Sequence, residues 1–462
     1  MEKWLAAALD YVPRWIEYQM LATEQPGCAI AIAHKGRIVL EAAFGHADLK
    51  RGTALTPRHR FRVASHSKTF TAAGILKLRE AGRIGLDDRI GHHVAGLHKA
   101  IAATRIEQLL SHSAGLVRDG ADSGQWTDRR PFLDEAALRA DLDGGTAIEP
   151  GTRFKYSNHG FGLLGLAIEA VTGEAYGEWI GREIVAASGL GETAPDAPRA
   201  LAAARVPFAR GHSAKLPLGR RVVIPADNAT HALAAATGFV STAADLARFF
   251  ASLAPTARKS VLSTASRREM TRRLWRDPHS SLERWYGLGT ISGTLGDWEW
   301  FGHSGGFQGT ITRTVSVPAH ELAVSVLTNA ADGASHAWLD GTMHVLRAFA
   351  RHGAPSRRTA PWQGRWWSLW GALDLLAAKD RVLVANPLLT NPVQDASEIE
   401  VSGSLRNGVA SGRVALAGGF ANHGEPVRLV FDGRGRAREF WLSGSKLLPQ
   451  AKIEQELNTR YE

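Results

Sequence analysis

Cysteine is almost absent from the sequence: Cys28 is the only one in 462 residues. This excludes an intrachain disulfide and any metal cluster held by cysteines. Cys28 lies in the apolar run of residues 28–33, which favours a small buried side chain over a nucleophile. The histidines lack a metal-ligand spacing such as His-Glu-x-x-His, so we expect neither a metal ion nor another cofactor.

Long hydrophobic runs are missing as well. No stretch approaches the roughly 18 consecutive apolar residues that a membrane-spanning helix requires. The apolar residues 5–9 are followed by Asp10, Arg14 and Glu17, a pattern that indicates an amphipathic helix and not a signal peptide. We therefore expect a cytoplasmic protein without a membrane partner.

No block of charge of one sign is present. Lys and Arg total 55 against 45 Asp and Glu, a net charge of +10, but basic pairs such as Arg129-Arg130 and Arg357-Arg358 are isolated. Nucleic-acid-binding proteins usually concentrate their basic residues in a stripe or tail. We therefore expect no nucleic-acid partner and interpret the excess as that of a slightly cationic enzyme.

The length of 462 residues indicates more than one domain, because single cores stop growing at about 250–300 residues. Residues 353–361, which contain Pro355 and Pro361, have the composition of a linker. We predict one domain over residues 1–352, a linker over 353–361 and a second domain over 362–462. Short apolar runs between Gly-, Asn- and Asp-containing turns make the second domain all-β.

Within the first domain, strands are expected at both ends and helices between them. Apolar periodicity predicts helices near residues 4–24, 68–81, 243–253 and 335–351. Apolar and β-branched runs predict strands at residues 28–33, 38–44, 298–302, 310–317 and 322–327. We expect the first strands to pair with the last, with the helical middle as an insertion. The fold class is thus α/β (α+β).

The first motif with chemical meaning is Ser65-x-x-Lys68, at the start of a predicted helix. A serine hydroxyl is a poor nucleophile and needs an adjacent base. A neighbouring lysine can be that base if burial keeps its amine neutral. The spacing alone is also that of an ordinary solvated helix start, so it needs support from other residues.

The second motif is Tyr156-x-Asn158. Two residues apart in extended chain, these side chains project to the same side. The tyrosine can relay a proton or act as a phenolate, and the asparagine amide can orient a lysine and a substrate. The competing interpretation is a capped helix start with a packed aromatic ring.

The third motif is His303-Ser304-Gly305-Gly306, ahead of a predicted strand. Glycines allow a substrate backbone to lie close along a strand edge. The N–H of Gly306 is a candidate to form an oxyanion hole with that of Ser65. His303 on its own is as readily a structural histidine.

In this order and at these intervals, the motifs resemble those of the serine β-lactamase-like hydrolases: Ser65-x-x-Lys68, Tyr156-x-Asn158 and His303-x-Gly305. The match is to the class C branch, with its β-lactamases, DD-peptidases, D-aminopeptidases and esterases, and it covers residues 25–350. The resemblance implies a class C β-lactamase-like fold, with an antiparallel sheet flanked by helices and a helical subdomain. The C-terminal domain would be a lipocalin-like or barrel appendage.

The resemblance also implies the roles of the residues. Ser65 would carry the acyl group, while Lys68 and Tyr156 serve as general base and acid. Asn158 would position Lys68 and the substrate, and the amides of Ser65 and Gly306 would hold the oxyanion.

The third motif departs from the Lys-Thr-Gly that is usual in β-lactamases. A fixed cation for a β-lactam carboxylate is absent unless His303 is protonated or an arginine replaces it. We therefore expect a small-molecule or peptide substrate cleaved at a peptide or amide bond. The alternatives are a carboxylesterase using the same site, and a catalytically idle penicillin-binding-like or sensor protein.

A group of tryptophans opens the second domain: Trp362, Trp366, Trp367 and Trp370. They are candidates for a substrate cleft or an oligomer contact, but we interpret them as the core of that domain or its seam with the hydrolase domain. The sequence leaves open whether the protein forms a homo-oligomer.

Overall fold

The computed structural model describes residues 1–197, 207–216, 218–278, 280, 283–419 and 421–462, without the side chains of 403–406. The chain divides into two compact units. One is Gln25–Leu339, and the other combines Met1–Glu24 with Asp340–Glu462. Residues 353–361, the expected linker, lie inside the second unit. The domain bounds inferred from the sequence stay a prediction.

An antiparallel nine-stranded sheet forms the centre of Gln25–Leu339. Its strands, from one edge to the other, are Thr53–Ala54, Arg37–Asp48, Gly27–His34, Leu322–Thr328, Thr310–Val317, Trp298–Phe307, Ile291–Leu295, Arg284–Tyr286 and Trp275–Arg276. Cys28 pairs with Thr328 and His34 with Leu322, so the first strands do pair with the last. The segment between them is therefore an insertion, as the sequence predicts.

Helices supply most of the insertion. They are Ser67–Glu80, Lys99–Ala102, Ile106–Leu110, Glu135–Leu142, Asn158–Thr172, Tyr176–Ile180, Ala243–Ser252 and Thr264–Met270, and Ser335–His352 follows the last strand. Short strand pairs complete the unit: Phe61–Arg62 with Val240–Ser241, and Gly211–His212 with Val223–Ile224. Thr242 caps its helix by accepting a hydrogen bond from the Asp245 amide. The expected α+β architecture, an antiparallel sheet flanked by helices, is confirmed.

The helix Ser67–Glu80 runs through the core of this unit. The ring of Phe70 lies between those of Phe239 and Phe249, with centroid distances of 4.4 and 4.0 Å. Residues from Ser67 to Leu76 are fully buried. Because a helix buried on all faces has no solvent side, its side chains have little freedom to move. The residues at its beginning are therefore held rigidly.

The second unit contains an eight-stranded antiparallel sheet in which each strand pairs with the next. The strands are Gly364–Ser368, Gly371–Ala377, Arg381–Ala385, Ser397–Arg406, Val409–Leu416, Pro426–Phe431, Ala437–Leu442 and Ser445–Leu447. Two main-chain hydrogen bonds of 2.8 Å between Trp367 and Leu448 join its ends, so the sheet is a nearly closed barrel. The helices Lys3–Thr23 and Gln450–Tyr461 belong to the same unit. The barrel-like sheet of the C-terminal region is confirmed, whereas the all-β prediction for residues 362–462 is wrong at its end, where Gln450–Tyr461 is a helix.

The tryptophans of this unit have different environments. Trp362 and Trp366 are buried in the barrel core near Phe440. Trp370, in the turn between the first two strands, is 94% exposed. The interpretation as core residues is therefore confirmed for Trp362 and Trp366 and wrong for Trp370, because a tight hairpin turn points its side chains to solvent.

Among the helices of the described residues, none combines the length and the apolar character that crossing a membrane demands.

Replacing Phe70 by Ala should lower the free energy of unfolding of this unit by about 3–5 kcal/mol, because it removes the middle ring of a buried stack. Urea unfolding followed by fluorescence measures the change. Leu216→Ala, at a side chain that is 78% exposed, is the control and should leave the midpoint unchanged. Equal midpoints for the two variants would contradict the packing described here.

Candidate active site

Ser65 lies on a short 3₁₀ turn, Ala64–His66, directly before the helix Ser67–Glu80. Its neighbour Ala64 has a φ of 47°, which is unusual for a residue with a side chain. Such backbone strain costs about 1–3 kcal/mol and persists only where the surroundings enforce it. The turn is thus held in place by the rest of the unit.

A row of threonines supplies part of that restraint. Thr310, Thr312 and Thr314 alternate along one strand, so their side chains share one face. The Thr310 hydroxyl donates to Arg62 O (3.2 Å), and the Thr314 hydroxyl lies 3.1 Å from the His66 ring nitrogen Nε2. The sequence analysis missed this row, although its Thr-x-Thr-x-Thr alternation was visible.

The predicted catalytic residues meet at one oxygen atom. Lys68 Nζ lies 3.1 Å from Ser65 Oγ, and the Tyr156 hydroxyl lies 2.8 Å from it. Tyr156 precedes the helix Asn158–Thr172, which begins at the third residue of the motif. Side chains of two motifs that are 91 residues apart in sequence therefore contact the same serine oxygen.

Lys68 is fully buried, and its amine has two further neighbours, Asn158 Oδ1 at 2.7 Å and Ala236 O at 2.9 Å. Burial lowers the pKa of Lys68 well below its usual range, although the Asp119 carboxylate acts in the opposite direction. A neutral amine has two N–H donors and one lone pair. In that neutral form the two N–H groups donate to Asn158 Oδ1 and Ala236 O, and the lone pair would face Ser65.

Tyr156 is packed beneath the His112 ring, with centroids 4.0 Å apart. Burial raises the pKa of Tyr156 above its usual range, so its resting form is the neutral phenol and not the phenolate. Its O–H donates to Ser65 Oγ. The ring also has the Arg118 guanidinium over it at 5.5 Å.

His303 is buried and only 3% exposed. Its Nε2 lies 3.0 Å from the Tyr286 hydroxyl. Burial lowers the pKa of His303 well below its usual range, so the ring is neutral at neutral pH. His303 therefore supplies no fixed positive charge, and its predicted role toward a substrate stays a prediction.

The third motif lies inside a strand, because Trp298–Phe307 extends beyond the predicted end at 302. On one side it pairs with Thr310–Val317 as far as Phe307. On the other side the described pairing ends at Gly302. Residues 303–307 thus present a strand edge without a strand partner among the described residues. A backbone in extended form could add to such an edge.

Gly305 and Gly306 differ in their surroundings. A Cβ at Gly305 would lie 2.2 Å from Val63 O, so the strand packs directly on the chain that leads to Ser65. A Cβ at Gly306 would meet only Ile311 Cδ1, at 3.5 Å. Gly305 is required by close packing, whereas Gly306 borders open space. Its predicted oxyanion role stays a prediction.

Sequence reasoning also missed Asp119. Its Oδ1 accepts hydrogen bonds from Asn158 Nδ2 (2.6 Å) and Trp126 Nε1 (3.0 Å), and its Oδ2 from Arg118 Nε (2.9 Å). Asp119 lies in a polar loop outside the three motifs, and no spacing rule connects it to them. Only the folded chain brings it to the site.

Arg62 organises the segment that carries Ala236. It is fully buried and donates to Gly238 O (2.7 Å) and Ala226 O (2.9 Å), and it pairs with Asp196 at 3.0 Å. These bonds fix the chain on both sides of Ala236. Within the described residues, no group of three or more His, Cys, Asp and Glu side chains could hold a metal ion.

Comparison with known proteins identifies the class. A family model described as Beta-lactamase matches residues 12–342, which is more than half of the chain. The chain therefore belongs to the beta-lactamase family. This agrees with the resemblance inferred from the three motifs.

Curated relatives match part of this region. Protein flp of Staphylococcus aureus strain MW2 is 31% identical over 172 residues, which cover 36% of this chain and 34% of flp. Penicillin-binding protein 4* of Bacillus subtilis is 29% identical over 167 residues, covering 36% and 37%. The aligned part thus spans about a third of the length of each relative.

Solved structures share the fold. The octameric penicillin-binding protein homologue from Pyrococcus abyssi has a TM-score of 0.66 at 20% identity, covering 95% of this chain and 99% of that one. A D-stereospecific amidohydrolase from Streptomyces sp. has a TM-score of 0.58 at 26% identity, covering 70% and 94%. The D-amino acid amidase from Ochrobactrum anthropi has 0.63 at 22% identity, covering 74% and 99%.

The contrast between the two glycines is testable by thermal unfolding. Gly305→Ala should destabilise the unit by roughly 1–3 kcal/mol, because its methyl group would collide with Val63 O. Gly306→Ala is the matched control and should unfold near the native temperature. A Gly305→Ala protein as stable as the control would show that the strand and the turn of Ser65 are not in close contact.

Proposed function

We propose that the protein is a serine hydrolase that cleaves a peptide or amide bond through an acyl-enzyme on Ser65. The observation that carries this proposal is the convergence of Lys68 Nζ and the Tyr156 hydroxyl on Ser65 Oγ. A nucleophile within reach of both a base and a proton donor is the arrangement that acyl transfer needs.

In acylation, Ser65 gives its hydroxyl proton to the neutral Lys68 amine while Oγ forms a bond to the substrate carbonyl carbon. The carbonyl oxygen becomes an oxyanion, for which the amides of Ser65 and Gly306 are the proposed donors. Tyr156 delivers its proton to the leaving nitrogen as the carbon–nitrogen bond breaks, and takes the proton held by Lys68. Water then attacks the acyl carbon and gives a proton to the neutral Lys68 amine, and this proton passes to Ser65 Oγ as the bond between Oγ and the acyl carbon breaks.

Three observations support an amide bond over an ester. A leaving amine must be protonated, and the neutral Tyr156 phenol is a proton donor in contact with Ser65. The strand edge at residues 303–307 offers backbone groups to an extended substrate. The structural neighbours described as an amidohydrolase and an amidase act on amides.

A carboxylesterase using the same site is the second candidate, since an ester needs less help from Tyr156. A catalytically idle binding or sensor protein is the third, and the intact Ser65, Lys68 and Tyr156 argue against it.

The octameric state described for the Pyrococcus abyssi homologue supports self-association for this chain too.

The proposal predicts that a fluorophosphonate forms one covalent adduct per chain, on Ser65. Intact-protein and peptide mass spectrometry detect this adduct. Ser65→Ala should take no label. Turnover of matched p-nitroanilides and p-nitrophenyl esters of D- and L-amino acids then separates the candidates by kcat/KM. Turnover of esters alone would favour the carboxylesterase. If the unmutated protein is folded, as judged by thermal unfolding, and still takes no label, the result would favour a catalytically idle binding or sensor protein.

A second prediction concerns pH. Because Lys68 must be neutral to accept the Ser65 proton, the labelling rate should fall as pH drops through the Lys68 pKa. Burial lowers that pKa, so the fall should have its midpoint well below the pH of about 10.4 at which an ordinary lysine titrates. Rate constants from pH 5 to 11 give the midpoint. Lys68→Met, which has no titrating amine, is the control and should show no such limb, and a native midpoint near 10 would contradict Lys68 as the base.

A further inference from the structure

We propose that Asp119 is a positioning residue, which fixes the orientation of the Asn158 amide and thereby turns the lone pair of Lys68 toward Ser65. This inference rests on the proposed function, because it assumes that Lys68 is the base. It concerns a residue that lies outside the three sequence motifs.

An asparagine amide is asymmetric, because its oxygen accepts hydrogen bonds and its nitrogen donates them. Asn158 lies between Lys68 Nζ, 2.7 Å from Oδ1, and Asp119 Oδ1, 2.6 Å from Nδ2. An ionised carboxylate only accepts hydrogen bonds, so it can face the amide nitrogen but not the oxygen. Asp119 therefore determines which end of the Asn158 amide reaches Lys68.

The orientation of Asn158 decides the state of the Lys68 amine. With Oδ1 facing it, the amine donates its two hydrogens to Asn158 and to Ala236 O. The lone pair is left for the Ser65 hydroxyl at 3.1 Å. With the amide reversed, Nδ2 would donate to the amine and occupy that lone pair. Lys68 would then have none for the serine proton.

Asp119 is itself held in place. Trp126 Nε1 donates to the same oxygen atom at 3.0 Å, and the Trp126 ring packs against Phe132 and Phe307 with centroids 5.3 and 6.1 Å away. Arg118 pairs with the other oxygen atom at 2.9 Å. Only 11% of the Asp119 side chain is exposed. These contacts hold the Asp119 carboxylate in place, and it acts as the acceptor in each of its described hydrogen bonds.

Charge gives Asp119 a second, measurable effect. Its carboxylate raises the pKa of Lys68, whereas burial and Arg118 lower it. Removing the carboxylate should therefore move the acid limb of the labelling rate to lower pH. A purely structural residue would not move that limb. The titratable or charged groups around the amine are Asp119, Arg118, Tyr156, His112 and His303.

The experiment measures fluorophosphonate labelling of Ser65 against pH in the full chain. Asp119→Ala should lower the limiting rate constant at high pH by about tenfold or more, because a misplaced base loses much of its effect, and should shift the acid midpoint downward. Asp119→Asn removes the charge but keeps an acceptor oxygen. It should shift the midpoint in the same direction and keep more of the limiting rate.

Asp122→Ala is the matched control. Asp122 lies on the same loop and also pairs with an arginine, but its side chain is 69% exposed and outside the site. This variant should keep the native rate and midpoint. If Asp119→Ala keeps both the native limiting rate constant and the native acid midpoint, the inference is overturned. If Asp119→Ala does not fold, an unchanged acid midpoint in Asp119→Asn would overturn it. An unlabelled native protein would instead refute the proposed function.

Discussion

A lysine amine with no access to water constrains the whole site. The charged form of Lys68 has no carboxylate in contact to balance its charge, because the groups that hydrogen-bond to the amine are a hydroxyl, an amide oxygen and a main-chain carbonyl. The neutral form satisfies all three of its bonding positions with these groups. The same packing that makes the helix Ser67–Glu80 part of the core thus lowers the pKa of the lysine that we propose as the base. Burial of this helix therefore contributes both to the stability of the unit and to the proposed reactivity of Lys68.

Arg62 and Lys68 are both buried basic side chains, but their surroundings differ. Arg62 cannot lose its proton, and it is provided with Asp196 and several main-chain carbonyls. Lys68 has no carboxylate among its hydrogen-bond partners, and Asp119, whose charge raises its pKa, is separated from it by the Asn158 amide. An amide transmits orientation without placing a negative charge against the amine. A direct Lys–Asp pair would favour the ammonium, which has no lone pair and cannot act as a base.

The sequence was sufficient for the parts of the site that lie in local patterns. Ser65 and Lys68 are three residues apart, and Tyr156 and Asn158 two apart, so local geometry already aligns each pair. The pairing of the first strands with the last could be predicted because strand patterns occur at both ends of the domain, with helical patterns between them. The Ala236 carbonyl and the Asp119 carboxylate could not be found in this way. Both depend on loops whose positions are set by long-range packing.

The strand edge at residues 303–307 shows why the third motif was the hardest to interpret. The sequence placed this motif ahead of a strand, but its glycines lie within the strand Trp298–Phe307. Gly305 lets the strand approach Val63 O, and that contact fixes the edge relative to the nucleophile. The described pairing with the strand Ile291–Leu295 ends at Gly302, so residues 303–307 have no strand partner on that side among the described residues. An exposed edge normally invites unwanted pairing. Here it is short, and it lies next to the turn that carries Ser65. An extended substrate that adds to this edge would lie next to Ser65, so the proposed function gives the missing strand partner a reason.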